Sequence, residues 1–162
     1  MVSEEENKLM SEYVDKLRDR LRNRVGQEPI ILVGASVLAR DKKGRILFQN
    51  KNSFKGWALP GGTMKLGETI KETACRKLYE GTGIKANNLK LAEIFSGEEF
   101  HSTNSNGKST YNLIVLYEAF GIEDDLLVND HETMNAKYFN PEEISNLEDR
   151  SVKILSRLGI VD

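Results

Sequence analysis

Residues 62–84 are GTMKLGETIKETACRKLYEGTGI, a stretch that joins a glycine-bearing loop to an apolar repeat of period four. Ile70, Ala74 and Leu78 recur every four residues with Thr73 and Cys75 beside them, which predicts a helix over 69–80 closed by Gly81 or Gly83. Cys75 then reads as a small core residue, since neither a basic pocket nor a partner for a reactive thiol is visible in the sequence. Just before the helix, Trp57-Ala58-Leu59-Pro60-Gly61-Gly62 reads as a shaped loop. Pro60 lacks a ladder donor, and paired glycines allow unusual backbone angles.

Working outward, the β-rich run Ile30 to Ala39 meets Ile46 to Gln49 across Asp41-Lys42-Lys43-Gly44, a hairpin turn ending on Gly. Beyond the helix, Leu89 to Ser96 and Thr110 to Phe120 are strand-like and read as a hairpin with a long polar loop over 101–109 that contains Asn106-Gly107. Lys137 to Phe139 adds a short strand, Asn140 caps Pro141-Glu142-Glu143, and Ser151 to Leu158 forms a last amphipathic helix. At the other end, Ser3 and Glu6 form a capping box. Leu9, Tyr13, Leu17 and Leu21 then recur every four residues, predicting an amphipathic helix over 3–25. Its acidic start and arginine-rich end complement the helix dipole, and Asp15 and Asp19 among the arginines favour a solvated helix end over a nucleic-acid surface.

The resulting expectation is an N-terminal helix, residues 1–27, packed on one α/β domain, residues 28–162. The apolar stripe is also suited to a partner, including a second copy in a homodimer. A chain of 162 residues fits one domain, and 23 Lys plus Arg against 25 Asp plus Glu leave a net charge of −2, with no global field for nucleic acid or an anionic membrane. The single cysteine excludes an internal disulfide, and no apolar run reaches the length of a spanning helix. The acidic start MVSEEENK differs from a basic signal peptide, so a cytoplasmic location is expected.

From Gly62 the chain offers Glu68 after five residues, Arg76 after seven more, then Leu78, Glu80, Gly83 and Ile84. This spacing resembles the box of the Nudix (MutT-like) hydrolase family, G-x5-E-x7-R-E-U-x-E-E-x-G-U with U aliphatic. The order of elements over residues 28–160 is similar to the family's α/β/α sandwich, built around a small mixed sheet. The resemblance implies a cytoplasmic hydrolase of nucleoside diphosphate-linked compounds that uses Mg²⁺ or Mn²⁺. It also implies a nucleotide-like small molecule as the partner.

Residue by residue, the resemblance places Glu80 as the matching metal ligand and catalytic acid, and Glu68 with Arg76 as an orienting pair that is structural or faces substrate. Gly61 and Gly62 would let the backbone approach a ligand. Trp57 would stack a base or pack in the core, Lys51 and Lys55 near the loop are candidate phosphate contacts, and Lys77 is a candidate substrate contact. Glu132 is a second metal candidate from a later loop, with Glu98 and Glu99 as further loop acids. His101 and His131 have no zinc-type spacing and read as surface residues.

The chain departs from the pattern at two positions. Where the family has two further acids, it carries Lys77 and Gly81. Positions 77, 80 and 81 share one helix face, the face on which the family gathers divalent cations. Three carboxylates would supply about −3 there, whereas Lys77, Glu80 and Gly81 sum to zero. An ammonium is not a metal ligand while protonated, and Lys77 is expected to pair with Glu80 or with an acid of another segment. Weak cation binding and weak hydrolysis follow as one expectation. The alternative is a catalytically impaired module that keeps the scaffold to bind a nucleotide-like ligand or a protein partner.

Overall fold

Alternation along one long strand organises the molecule. In β1 (Ile30–Asp41), Ala35, Val37 and Ala39 point into one buried cluster, while Leu38 between them points into another. In the computed structural model, the described residues are 28–51, 56–86, 88–103, 107–122 and 134–162, with isolated positions among the first 27. The elements after β1 are β2 (Ile46–Lys51), β3 (Gly61–Thr63), α1 (Ile70–Thr82), β4 (Lys90–Phe95), β5 (His101–Thr103), β6 (Ser109–Ile122), β7 (Met134–Phe139) and α2 (Asp149–Arg157).

The strands form a mixed sheet in the order β4-β6-β1-β2-β7, with β3 added on β1 and β5 on β6. β1 and β6 run parallel from Ile30↔Thr110 to Ala39↔Ala119, and the pairs β1–β2, β1–β3, β4–β6 and β2–β7 are antiparallel. Helix α1 buries Ala74 and Leu78 against Val37, Leu47, Val115 and Tyr117 on one side. On the other side, α2 buries Ile154 and Leu155 against Leu38, Phe48, Ile114 and Leu116. The architecture is an α/β/α sandwich, as the family resemblance implies.

Local chemistry sets the bounds of α1. The Thr69 hydroxyl accepts the Glu72 N–H and the Glu72 carboxylate accepts the Thr69 N–H, both at 3.1 Å, which satisfies two orphan donors of the first turn. Of the two glycines expected to close it, Gly83 does so: its φ is 77° and its N–H reaches the Tyr79 carbonyl at 2.8 Å. Gly81 lies within the helix and is buried.

Two loops expected from the sequence are partly strand. Gly61–Thr63 pairs with Gly34, Ala35 and Ser36 of β1, because backbones without side chains can approach that closely; a Cβ on Gly61 would lie 2.4 Å from the Ala35 carbonyl oxygen. In the polar connection after β4, His101–Thr103 pairs with Ser109–Tyr111, and the His101 ring stacks on Tyr111 at 4.6 Å. β6 runs past the end of β4 and offers His101–Thr103 a free edge. The stripe Leu9, Tyr13 and Leu21 lies outside the described residues, as do Lys55, His131 and Glu132.

Candidate active site

Glu68 sits immediately before Thr69, the N-cap of α1, and collects donors from several sides. Its Oε1 accepts the Lys65 N–H at 3.1 Å, the Thr73 hydroxyl at 2.6 Å and Arg76 Nη2 at 2.9 Å, while Oε2 accepts Arg76 Nε at 2.7 Å. The same guanidinium donates to the Thr63 carbonyl at 3.0 Å and to Glu80 Oε1 at 3.3 Å, so one side chain ties β3, the loop and the helix together. Burial raises the Glu68 pKa, but the hydrogen bonds from Arg76, Thr73 and the Lys65 amide, with the Arg76 charge, outweigh it and hold the carboxyl below its ordinary value. Burial likewise disfavours the Arg76 charge, and Glu68 and Glu80 more than restore it.

A stability prediction follows with a definite sign. A depressed folded pKa contributes stability that is fully present above the unfolded value, about 4.3, and is lost as pH falls through the folded value. The melting-temperature advantage of wild type over Glu68→Gln should therefore be full at pH 6 and shrink steadily below about pH 4.3. An advantage that stays constant down to pH 3 would contradict the pairing.

Lys77 pairs with Glu80 at 3.1 Å, one of the two pairings its sequence position allows. Its stem lies across β3: a Cβ on Gly62 would fall 2.1 Å from Lys77 Cε and 3.0 Å from Nζ. A larger residue at position 62 would have to displace the end of the Lys77 side chain. At Gly81 the space for a side chain is taken, since a Cβ there would lie 1.8 Å from Gln49 Oε1. Gln49 comes from β2, is 4% exposed, and its Oε1 has no hydrogen-bond partner among the described residues.

These residues do not fit a divalent cation. Both Glu80 oxygens are engaged, one by Arg76 and one by Lys77, an ammonium stands at position 77, and an amide fills the place of a third ligand. Among the described residues, no group of three or more His, Cys, Asp or Glu is placed to hold a metal. Lys65 belongs to the same cluster. Its pKa is pushed down first by burial and then by Arg76, with Lys77 acting in the same direction against the pull of Glu68 and Glu80.

The other sequence candidates have separate surroundings. Trp57 packs edge-to-face on Phe139, ring centroids 4.9 Å apart, at the margin of the α2-side core. Glu98 accepts from the Tyr111 hydroxyl and Glu99 from Arg157, which gives both loop acids partners outside α1. Cys75 is half-buried, its thiol faces the Ala86 carbonyl at 3.5 Å, and burial pushes its pKa up, as suits a core position. Gln49 and Lys65 were not among the sequence candidates. Their signals were a polar residue closing the run Ile46-Leu47-Phe48 and a lysine three residues before Glu68.

A mixed sheet between two helices, with a glycine strand leading into a Glu–Arg-clamped helix, defines a Nudix-type protein. The family model of the Nudix domain matches residues 31–158, and the chain belongs to that family. It is 31% identical over 93 residues to an ADP-ribose pyrophosphatase of Methanocaldococcus jannaschii, covering 57% of this chain and 54% of the relative. It is 34% identical over 118 residues to Nudix hydrolase 6 of Arabidopsis thaliana, covering 70% of this chain and 40% of that protein. The chain thus spans about half or less of the length of these curated relatives. Among solved structures, the MutT Nudix hydrolase of Burkholderia pseudomallei superposes with a TM-score of 0.64 at 20% identity, over 81% of this chain and 98% of that one. The Nudix domain of Shewanella oneidensis NrtR, complexed with ADP ribose, superposes with a TM-score of 0.61 at 15% identity, over 84% and 90%. These two likenesses concern the fold. No helix among the described residues is long and apolar enough to cross a membrane.

Proposed function

We propose that this chain binds nucleoside diphosphate-linked compounds, ADP-ribose among them, and hydrolyses them only weakly. The observation that carries this reading is the Lys77–Glu80 ion pair on the helix face where the family pattern has acids. Beside it, a pocket of about 180 Å³ is lined by Ser36, Gln49, Gly61, Gly62, Ile114 and Arg150 among others, room for a base or a sugar. Gly61 and Gly62 bring the ligand close to the backbone. Residual hydrolysis rests on Glu80, positioned by Arg76 and Glu68, and Glu132 remains a second acidic candidate. The names of the two curated relatives favour a second reading, a working pyrophosphohydrolase.

One panel separates the two. ADP-ribose, a sugar nucleotide, a dinucleoside polyphosphate and a nucleoside triphosphate are titrated calorimetrically, then incubated with Mg²⁺ or Mn²⁺ and assayed for products. The expected result is saturable binding of at least one compound with turnover well below the typical enzyme range of about 1–10³ s⁻¹. Turnover within that range would establish the second reading. Absence of binding across the panel would overturn the first.

A further inference from the structure

The charge around the box helix is inverted relative to a cation-binding site. Lys65, Arg76 and Lys77 face Glu68 and Glu80, three cations against two carboxylates, a local formal charge of +1. Glu68 is committed to Arg76 by two hydrogen bonds, and Glu80 is shared between Arg76 and Lys77. Lys77 is also held in place. Its stem runs over Gly62, its side chain is 20% exposed, and Gly62 itself lines the neighbouring pocket. An ammonium carries three donors, of which the bond to Glu80 uses one. A sheltered, oriented ammonium beside a glycine strand is suited to a phosphate oxygen.

We propose that the Lys77 ammonium, backed by Lys65 and Arg76, binds the diphosphate of the ligand directly, as a tethered cation in place of a divalent ion, so that binding requires no metal. This rests on the nucleoside diphosphate reading above and extends it by assigning how the anion is held. Glu80 does not oppose it, because the adjacent guanidinium offsets that carboxylate. The net field at the site therefore attracts an anion of charge about −2.

Two probes keep this inference distinguishable from the functional reading. Inorganic diphosphate, followed by ³¹P NMR with the full chain in EDTA, tests the anion site without any nucleoside. Saturable broadening is expected, weakened about tenfold to a hundredfold by Lys77→Met, retained in Lys77→Arg, and unchanged in Lys71→Ala, which removes an equal charge from the exposed part of α1. Circular dichroism establishes folding first. Lys77→Gln, which keeps a stem over Gly62, reads the same loss should Lys77→Met not fold.

ADP-ribose, titrated calorimetrically in EDTA and in Mg²⁺, should bind with affinities within about threefold of each other. Binding that appears only with Mg²⁺, or diphosphate binding indifferent to Lys77, overturns the tethered cation and leaves the functional reading intact. Diphosphate bound in EDTA while no nucleotide of the panel binds overturns the functional reading and keeps the anion site. Failure of both probes overturns both.

Discussion

Replacing Arg76 with Met should lower folding stability by about 3–5 kcal/mol, because it strands the Glu68 carboxylate, which has almost left water, and leaves Glu80 with Lys77 alone. The Arg76, Glu68 and Glu80 side chains are 10%, 12% and 13% exposed, so solvent screening takes little from the interaction. The guanidinium serves three elements at once through Glu68, Glu80 and the Thr63 carbonyl. At about 2–4 °C per kcal/mol for a domain of this size, the melting temperature should fall by about 6 °C or more. Arg76→Lys keeps the charge and loses the fork, so it should fall between the two. In a double-mutant cycle, Glu68→Gln should recover part of the Arg76→Met loss, since the stranded charge is then gone. A loss below about 1 kcal/mol, or strict additivity of the two changes, would show that the clamp is a solvated surface pair.

The second large effect is expected at Gly81. Restoring an acid there by Gly81→Glu should destabilise the protein by about 1–3 kcal/mol, because the new Cβ falls 1.8 Å from Gln49 Oε1 inside packed structure. The Gln49 backbone cannot withdraw, since its N–H and carbonyl are both bonded to Ala58 at 2.8 Å. Only its side chain can move. Gln49→Ala should therefore rescue Gly81→Glu, helped by the better helix propensity of Glu over Gly. Adding Lys77→Glu to that pair gives three carboxylates at 77, 80 and 81, and the local side-chain charge moves from zero to about −3. Calorimetric titration with Mg²⁺ should then show a clear gain in affinity over wild type, larger than for Lys77→Glu alone. If Gly81→Glu melts like wild type without the Gln49 change, the amide does not hold that space. A folded triple variant with no gain in Mg²⁺ affinity would mean that these three side chains do not converge.

How far the sequence could be read depended on the range of the interactions. The bounds of α1 were legible to within about two residues, since Thr69, Glu72 and Gly83 act within one turn of themselves. The place of β1 was legible too, since the β-rich run Ile30 to Ala39 and the turn after it are local signals. The glycine strand β3 was hidden because its three residues are held by β1 rather than by their own preference, and Pro60 next to it reads as a breaker. The edge strand at His101–Thr103 was hidden for the same reason: polar residues with a turn dipeptide nearby acquire strand geometry only from the reach of β6.

The site divides along the same line. By itself the sequence determined the family pattern, the Glu68 and Arg76 spacing, and the exchange of two acids for Lys77 and Gly81, because helix geometry puts positions 77, 80 and 81 on one face whatever surrounds them. It also allowed the Lys77–Glu80 pair, three residues apart on that face. Packing between elements sets the path of Lys77 over Gly62, the filling of the space beside Gly81 by Gln49, and the contact of Trp57 with Phe139. Each of those contacts joins residues from different elements. Their meeting depends on sheet order and helix docking, which no local spacing encodes, whereas the charge on a helix face is fixed by side-chain type and a period of 3.6 residues per turn.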